Sequence, residues 1–430
     1  DRYEALKKEY GEDVSLAVRS SATAEDSPEA SFAGQNESYL NIQGFDALVD
    51  AYKRCLASNF TDRSIHYKFV HGFDSFKVFL SVVVMKMVRS DIGESGVMFS
   101  IDSETGFKDV VFINAAYGLG ENIVQGSIVP DNFYVHKPTF NKGYRTVLKR
   151  KLGSKALTMV FDEETNSDNI AVDYIKNIPT AKEDQTKFCI DDADVLKLAE
   201  YAIKIEAHYS KQAGYKKPMD MEWAKDGLDG EIYIVQARPE TLESRKEDKH
   251  LEMYKLNEQS EVILTGQAVG TKIGAGKVCK ITDLSKLDTF NEGDVLVAET
   301  TSPDWEPVMK IASAIVTNTG GRTCHAAIVS RELGIPAIVG AENAVELLKD
   351  GEEITVSCAE GEIGLIHKGI LDFEIIISDL SELPKTKTKI MMNLGNPDLA
   401  FSLASLPVDG IGLARMEFII TTAIKAHPMA

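Results

Sequence analysis

Three features of the chain predict a multidomain protein of α/β and α+β class. Its hydrophobic spacing switches between helical and strand-like periods, a charged stretch after Pro239 carries no apolar face, and its 430 residues exceed what one ordinary core needs. Phe45, Leu48, Val49, Tyr52 and Leu56 recur at helical spacing after Gly44 and predict an amphipathic helix over 45–58. The β-branched run 78–88 and the short apolar run Val110–Ile113 predict strands. Leu196, Ala199, Ile203 and Ala207 keep one face of a helix over 193–212 apolar. Residues 219–223 and 231–236 then read as two strands around the turn Asp226-Gly-Leu-Asp-Gly230.

After Pro239 the composition becomes charged, and a linker is expected before a compact block at 263–368. Within that block, strands are predicted near 275–281, 294–298, 313–317, 336–339, 353–357 and 363–367, with helices near 305–311, 323–333 and 343–349. This is the size of one small α/β domain. A second linker is expected over 369–388, and Lys389-Ile-Met-Met-Asn-Leu394 reads as the first strand of a further unit. The charged start without methionine and the abrupt end suggest a piece of a longer polypeptide.

A net charge of −19 argues against a nucleic-acid or anionic-membrane surface, so the cations that matter should be few and placed. The five cysteines have no paired spacing, which fits neither a disulfide framework nor a zinc site and suggests a reducing cytoplasm. The longest apolar runs are too short to span a bilayer.

The chemistry concentrates in three places. Val18-Arg-Ser-Ser-Ala-Thr-Ala-Glu-Asp-Ser27 and Ser31-Phe-Ala-Gly-Gln35 surround Arg19 with small and hydroxylated residues, a composition that can wrap phosphates or simply form a surface loop. Glu222 and Gln236 can present oxygens to one site, with Arg238 two residues further on the same face. Hard oxygen ligands with an arginine suit Mg²⁺ on a polyphosphate, and a solvated polar hairpin fits as well. In the third place, Thr317-Asn-Thr-Gly-Gly-Arg-Thr-Cys-His325 sets His325 after a glycine pair at a helix start. Unpaired amides and the helix dipole there favour an anion, so this histidine can carry a phosphoryl group or can be an ordinary cap. Gly334 and Pro336 should end the helix. A Cys324–His325 thiol–imidazole pair is disfavoured, because neighbours on a helix point about 100° apart. A carrier histidine should lie exposed with Gly320–Cys324 at that helix start.

These motifs, together with Ser95-Gly-Val-Met-Phe-Ser-Ile-Asp102, Tyr117-Gly-Leu-Gly-Glu121, Pro130-Asp131, Val235-Gln-Ala-Arg-Pro239, Pro303-Asp-Trp-Glu-Pro307 and Asn393-Leu-Gly-Asn-Pro397, resemble the phosphoenolpyruvate synthases (pyruvate, water dikinases), relatives of pyruvate, phosphate dikinase. The resemblance implies an ATP-grasp-like nucleotide-binding domain at 1–240, a linker at 241–262 and a swivelling β/β/α phosphohistidine domain at 263–368. A second linker at 369–388 and the start of a TIM barrel that binds pyruvate and phosphoenolpyruvate at 389–430 complete the plan. It further implies that ATP, pyruvate and water give AMP, phosphoenolpyruvate and phosphate, a step of gluconeogenesis, through pyrophospho- and then phosphohistidine on His325.

By the same resemblance, Arg19, Glu222, Gln236 and Arg238 contact nucleotide, Glu222 and Gln236 hold Mg²⁺, and Arg415 grips the substrate. Thr323 is the target of a regulatory kinase and phosphorylase, and the full-length protein is a homodimer. Three departures stand out: the family's Gly-Gly-Lys segment and most of the barrel are missing, and Thr319 occupies a position where an arginine is expected. The chain by itself is therefore expected not to complete phosphoenolpyruvate synthesis. Rival readings are pyruvate, phosphate dikinase, an antibiotic phosphotransferase of the same plan, or a non-enzymatic phosphocarrier.

Overall fold

The computed structural model describes residues 2–12, 14–23, 37–70, 72–74, 77–162, 175–240, 250–282, 284–379, 386–395, 397–404, 406–420 and 424. The Ser31–Gln35 motif, residues 24–27 of the loop after Arg19 and all of the charged stretch 241–249 lie outside them. Contacts divide the chain into two units: 1–100 with 111–241 and 302–304, and 101–110 with 242–301 and 305–430.

The first unit contains strands β1 (Leu16–Ala22), β2 (Ser38–Ile42), β3 (Leu80–Lys86), β4 (Glu94–Phe99), β5 (Val110–Tyr117), β6 (Asp131–His136), β7 (Lys149–Lys151), β8 (Leu157–Phe161), β9 (Ile175–Pro179), β10 (Met219–Lys225) and β11 (Ile232–Pro239). They form sheets ordered β2-β1-β3, β11-β10-β4-β5-β6-β7 and β8-β9. The helix Phe45–Ala57 lies where its apolar spacing predicts, and Ala51 and Cys55 bury against Leu16 and Val18.

The main core of this unit lies between the six-stranded sheet and the helix Asp192–Ala213, which buries Val195, Leu198, Ala199 and Ala202. Asp191 caps that helix by accepting from the Asp194 amide at 2.9 Å, and Gly214 closes it in the left-handed conformation at φ 77°. At the start of β6, Asp131 pairs with Lys155 of the loop after β7 at 2.6 Å with both side chains fully buried.

The second unit is built on a closed seven-stranded barrel. Its strands are β13 (Val262–Val269), β14 (Ile273–Lys280), β15 (Val295–Ala298), β16 (Ala314–Thr317), β17 (Ala337–Val339), β18 (Glu353–Ser357) and β19 (Ile363–Lys368), in the order β13-β17-β16-β15-β14-β18-β19. The run β14-β15-β16-β17 is parallel, and the remaining pairs are antiparallel. Every residue of β15 and β16 is buried, the pattern of strands covered on both faces.

The segments expected as linkers share a ribbon, because β12 (His250–Leu256) pairs antiparallel with β20 (Phe373–Asp379). The last strands, β21 (Met391–Leu394) and β22 (Gly410–Ala414), run parallel. The architecture is thus mixed α/β in more than one unit. No helix among the described residues is long and apolar enough to cross a membrane.

Candidate functional site

In the first unit the β10–β11 turn sets the register of Trp223–Lys225, and a bulge between Glu222 and Trp223 shifts it by one residue. Asp226 accepts from the Leu228 amide at 2.8 Å through its side chain and from the Gly230 amide at 2.8 Å through its carbonyl, and Gly230 takes φ 74°. Glu222 then stands opposite Gln236, and Asp220 opposite Arg238. Residues two apart on a strand share a face, so all four side chains project from one side of the sheet.

Arg19, on β1, reaches this face. Its Nη2 donates to Glu222 Oε2 at 2.7 Å and to Gln236 Oε1 at 3.3 Å. Arg238 Nε donates to Asp220 Oδ2 at 2.8 Å, while burial pushes the Asp220 carboxyl up against the opposing pull of Arg238. The four residues singled out in the sequence, Arg19, Glu222, Gln236 and Arg238, therefore come together.

Glu121 joins them without having been singled out for a role. It opens the short helix Glu121–Gln125 after the glycine motif. Burial first, and then the nearby Glu222 charge, push its carboxyl up, while the Gln125 amide at 3.0 Å and Arg19 oppose the shift. Two carboxylates and an amide oxygen with one guanidinium form a hard-oxygen donor set suited to a small divalent cation. Among the described residues no cluster of three or more His, Cys, Asp or Glu could hold a metal by themselves.

In the second unit, the loop 318–324 and the helix His325–Leu333 form the crossover from β16 to the parallel strand β17. His325 thus sits beyond the carboxyl end of a parallel strand, where open crevices form. Gly320 turns the chain at φ 106°, and Cys324 precedes the helix with extended backbone. Gly334 ends the helix in the left-handed conformation, as the sequence predicts.

The neighbouring parallel strand β15 leads from the same end into Thr301, whose Oγ1 lies 3.0 Å from His325 Nδ1. When the imidazole donates its Nδ1 proton to Thr301, Nε2 is the unprotonated and hence nucleophilic nitrogen.

The expected exposure of the whole motif is corrected by the structure. Gly320 to Cys324 are buried, and only His325 is half-exposed. Arg331 folds back along the helix, donating from Nη1 to the Arg322 carbonyl at 2.7 Å and from Nη2 to Glu104 Oε2 at 2.7 Å. Arg322 is 6 % exposed and Thr323 5 %, and the Thr323 hydroxyl makes no hydrogen bond. Thr319 is held by its hydroxyl to the Glu299 carbonyl at 3.0 Å. Cys324 is buried and its thiol is pushed up by burial, which disfavours the thiolate that a thiol–imidazole pair needs.

Arg415 lies at the carboxyl end of β22 and is exposed, with its amide donating to the Leu394 carbonyl at 2.9 Å. In parallel βα architectures that end carries the ligand-binding loops.

Residues 1–258 match the family model described as "Pyruvate phosphate dikinase, AMP/ATP-binding domain", and residues 290–361 match "PEP-utilising enzyme, mobile domain". Arg19, Glu121, Glu222, Gln236 and Arg238 fall in the first span, and Thr301, Thr323 and His325 in the second. Proteins named phosphoenolpyruvate synthase are similar over the whole chain. That of Synechocystis sp. is 52% identical, with 52% of its own length covered. The Aquifex aeolicus protein is 55% identical with 50% covered, and the Helicobacter pylori protein 55% identical with 53% covered. The chain spans about half the length of these relatives.

Proposed function

Because the chain belongs to the pyruvate phosphate dikinase AMP/ATP-binding family, we propose that the protein is a pyruvate, water dikinase. It converts ATP, pyruvate and water to AMP, phosphoenolpyruvate and phosphate. The observation that carries this reading is the placement of His325 at a helix start with its Nδ1 3.0 Å from the Thr301 hydroxyl. A histidine whose ring is held at Nδ1 beside a helix start is suited to attack a phosphoryl group through Nε2 and to hold it.

In this reading residues 1–240 are an ATP-grasp-like nucleotide domain and 263–368 a swivelling phosphohistidine domain. Residues 389–430 begin a TIM barrel, and 241–262 and 369–388 are linkers. Arg19 and Arg238 bind polyphosphate oxygens, and Glu222 and Gln236, with Glu121 beside them, would hold Mg²⁺. When bound, that ion neutralises charge between the phosphates. Displacement of Arg19 from Glu222 by the nucleotide would free the carboxylate for this role. Arg415 binds the carboxylate of pyruvate, Thr323 is the regulatory phosphorylation site, and the protein works in the cytoplasm as a homodimer.

The test is product analysis with the full-length protein. Stoichiometric AMP, phosphate and phosphoenolpyruvate from ATP and pyruvate support the reading. A requirement for added phosphate with release of pyrophosphate would move it to pyruvate, phosphate dikinase.

A further inference from the structure

The segment 101–110, grouped by its contacts with the second unit, brings an acidic turn against the loop that precedes His325. Glu104 is the anchor. It receives Arg331 Nη2 at 2.7 Å and the Gly270 amide, while Arg331 Nη1 grips the Arg322 carbonyl. The Arg331 and Glu104 side chains are only 6% and 9% exposed, so the bridge is dry and fixes the turn in place.

Two residues before Glu104, Asp102 uses one oxygen locally. Its Oδ2 accepts from the Thr105 amide at 3.2 Å and from the Thr105 hydroxyl at 2.5 Å. The other oxygen, Oδ1, is buried and makes no hydrogen bond. The same is true of Ser103 Oγ, and of Thr323 Oγ1 on the facing loop. Asp102, Ser103 and Thr323 are 2%, 6% and 5% exposed. The turn explains Oδ2 but leaves three buried polar atoms within a few residues of the Glu104–Arg331–Arg322 bridge, and such atoms are costly unless a water or a ligand serves them.

Resting on the reading of His325 as the pyrophosphoryl carrier, we propose that Asp102 is the base for the hydrolytic step, with the Ser103 and Thr323 hydroxyls donating to the phosphate that leaves. Water oxygen attacks the terminal phosphorus of pyrophosphorylated His325, and the bridging P–O bond breaks. The electron pair stays on the phosphoryl group that remains attached to the imidazole. One water proton passes to Asp102 Oδ1, and orthophosphate departs. Burial pushes the Asp102 carboxyl up while Arg322 draws it back, so its basicity rises without loss of the charged form's partner. The arrangement also supplies what distinguishes water from phosphate as acceptor, since a carboxylate repels an incoming anion and activates a neutral nucleophile.

The experiment uses full-length protein, ATP labelled separately on the β and γ phosphates, and rapid quench without pyruvate. Asp102→Asn should load both labels on His325 and release γ-phosphate about a hundredfold more slowly than wild type, with Asp102→Glu recovering part of the rate. Ser103→Ala should slow the same release by about tenfold with loading intact. Unchanged γ-phosphate release in a variant that loads β-label overturns the proposal. If Asp102→Asn does not load, Ser103→Ala decides by the same criterion. Failure of wild type to load label on His325 would instead overturn the carrier reading and leave a different signature, no labelled protein at all.

Discussion

Thr301 Oγ1 lies 3.0 Å from His325 Nδ1, a contact between residues 24 apart that joins the loops after two adjacent parallel strands. When the imidazole is the donor it leaves Nε2 to attack, and the contact holds the ring at the mouth of the crossover. Thr301→Val should slow phosphorylation of His325 by about tenfold, the equivalent of one hydrogen bond of roughly 1.4 kcal/mol. Thr301→Ser should retain the rate. Nitrogen chemical shifts of the His325 ring should show a mixed tautomer in the valine variant, a change that simple loss of packing does not produce.

Arg19 holds Glu222 and Gln236 on one face of the sheet while Glu121 stands nearby. Arg19→Met leaves the carboxylates facing one another without that guanidinium. The dissociation constant for MgATP should rise by about tenfold or more, each factor of ten being about 1.4 kcal/mol. Calorimetric titration gives it directly, and an unchanged constant would remove Arg19 from the nucleotide site.

The Lys155–Asp131 pair has no exposed surface, and Asp131 also accepts from the Gly153 and Cys189 amides at 2.8 and 2.9 Å. Lys155→Met strands a buried carboxylate and should cost about 3–5 kcal/mol in urea unfolding. Adding Asp131→Asn should recover part of that loss, because the remaining amide can still serve one of the backbone donors.

Burial pushes the Cys358 thiol from 9.0 to about 12. Between those values the unfolded chain loses a proton that the folded chain keeps, so stability falls as pH rises through this window. Below it Cys358 contributes no slope. Cys358→Ala should flatten the alkaline loss by about 1 kcal/mol at pH 10, one pH unit into the window. At pH 8 the native thiol should resist alkylation.

What the sequence reveals follows the reach of local patterns. Glu222 and Gln236 are legible as members of one hairpin from the glycine turn, but their pairing is not, because the turn's register sets Glu222 against Val235 and only a bulge between Glu222 and Trp223 brings Gln236 opposite it. Gly334 marks the end of the His325 helix by an equally local signal. Thr301 is invisible in one dimension, because only the parallel pairing of β15 with β16 brings its loop to His325. Strand β13 is missed too. Its Thr265-Gly-Gln267 interior breaks the apolar run, and closure of the barrel against β17 and β19 makes it a strand. The buried Glu104–Arg331 pair spans 227 residues, and the expected exposure of Gly320–Cys324 fails because of such non-local cover. Glu121 was visible only as the last residue of a glycine motif.

The central claim is that His325 carries the β-phosphoryl group of ATP on Nε2. The most direct measurement is mass spectrometry and phosphorus NMR of the full-length protein after reaction with β-labelled ATP. The account predicts label on His325 Nε2, chased into phosphoenolpyruvate by pyruvate and absent from His325→Ala. Stable label on another residue, or phosphoenolpyruvate formed at the normal rate by His325→Ala, would contradict it.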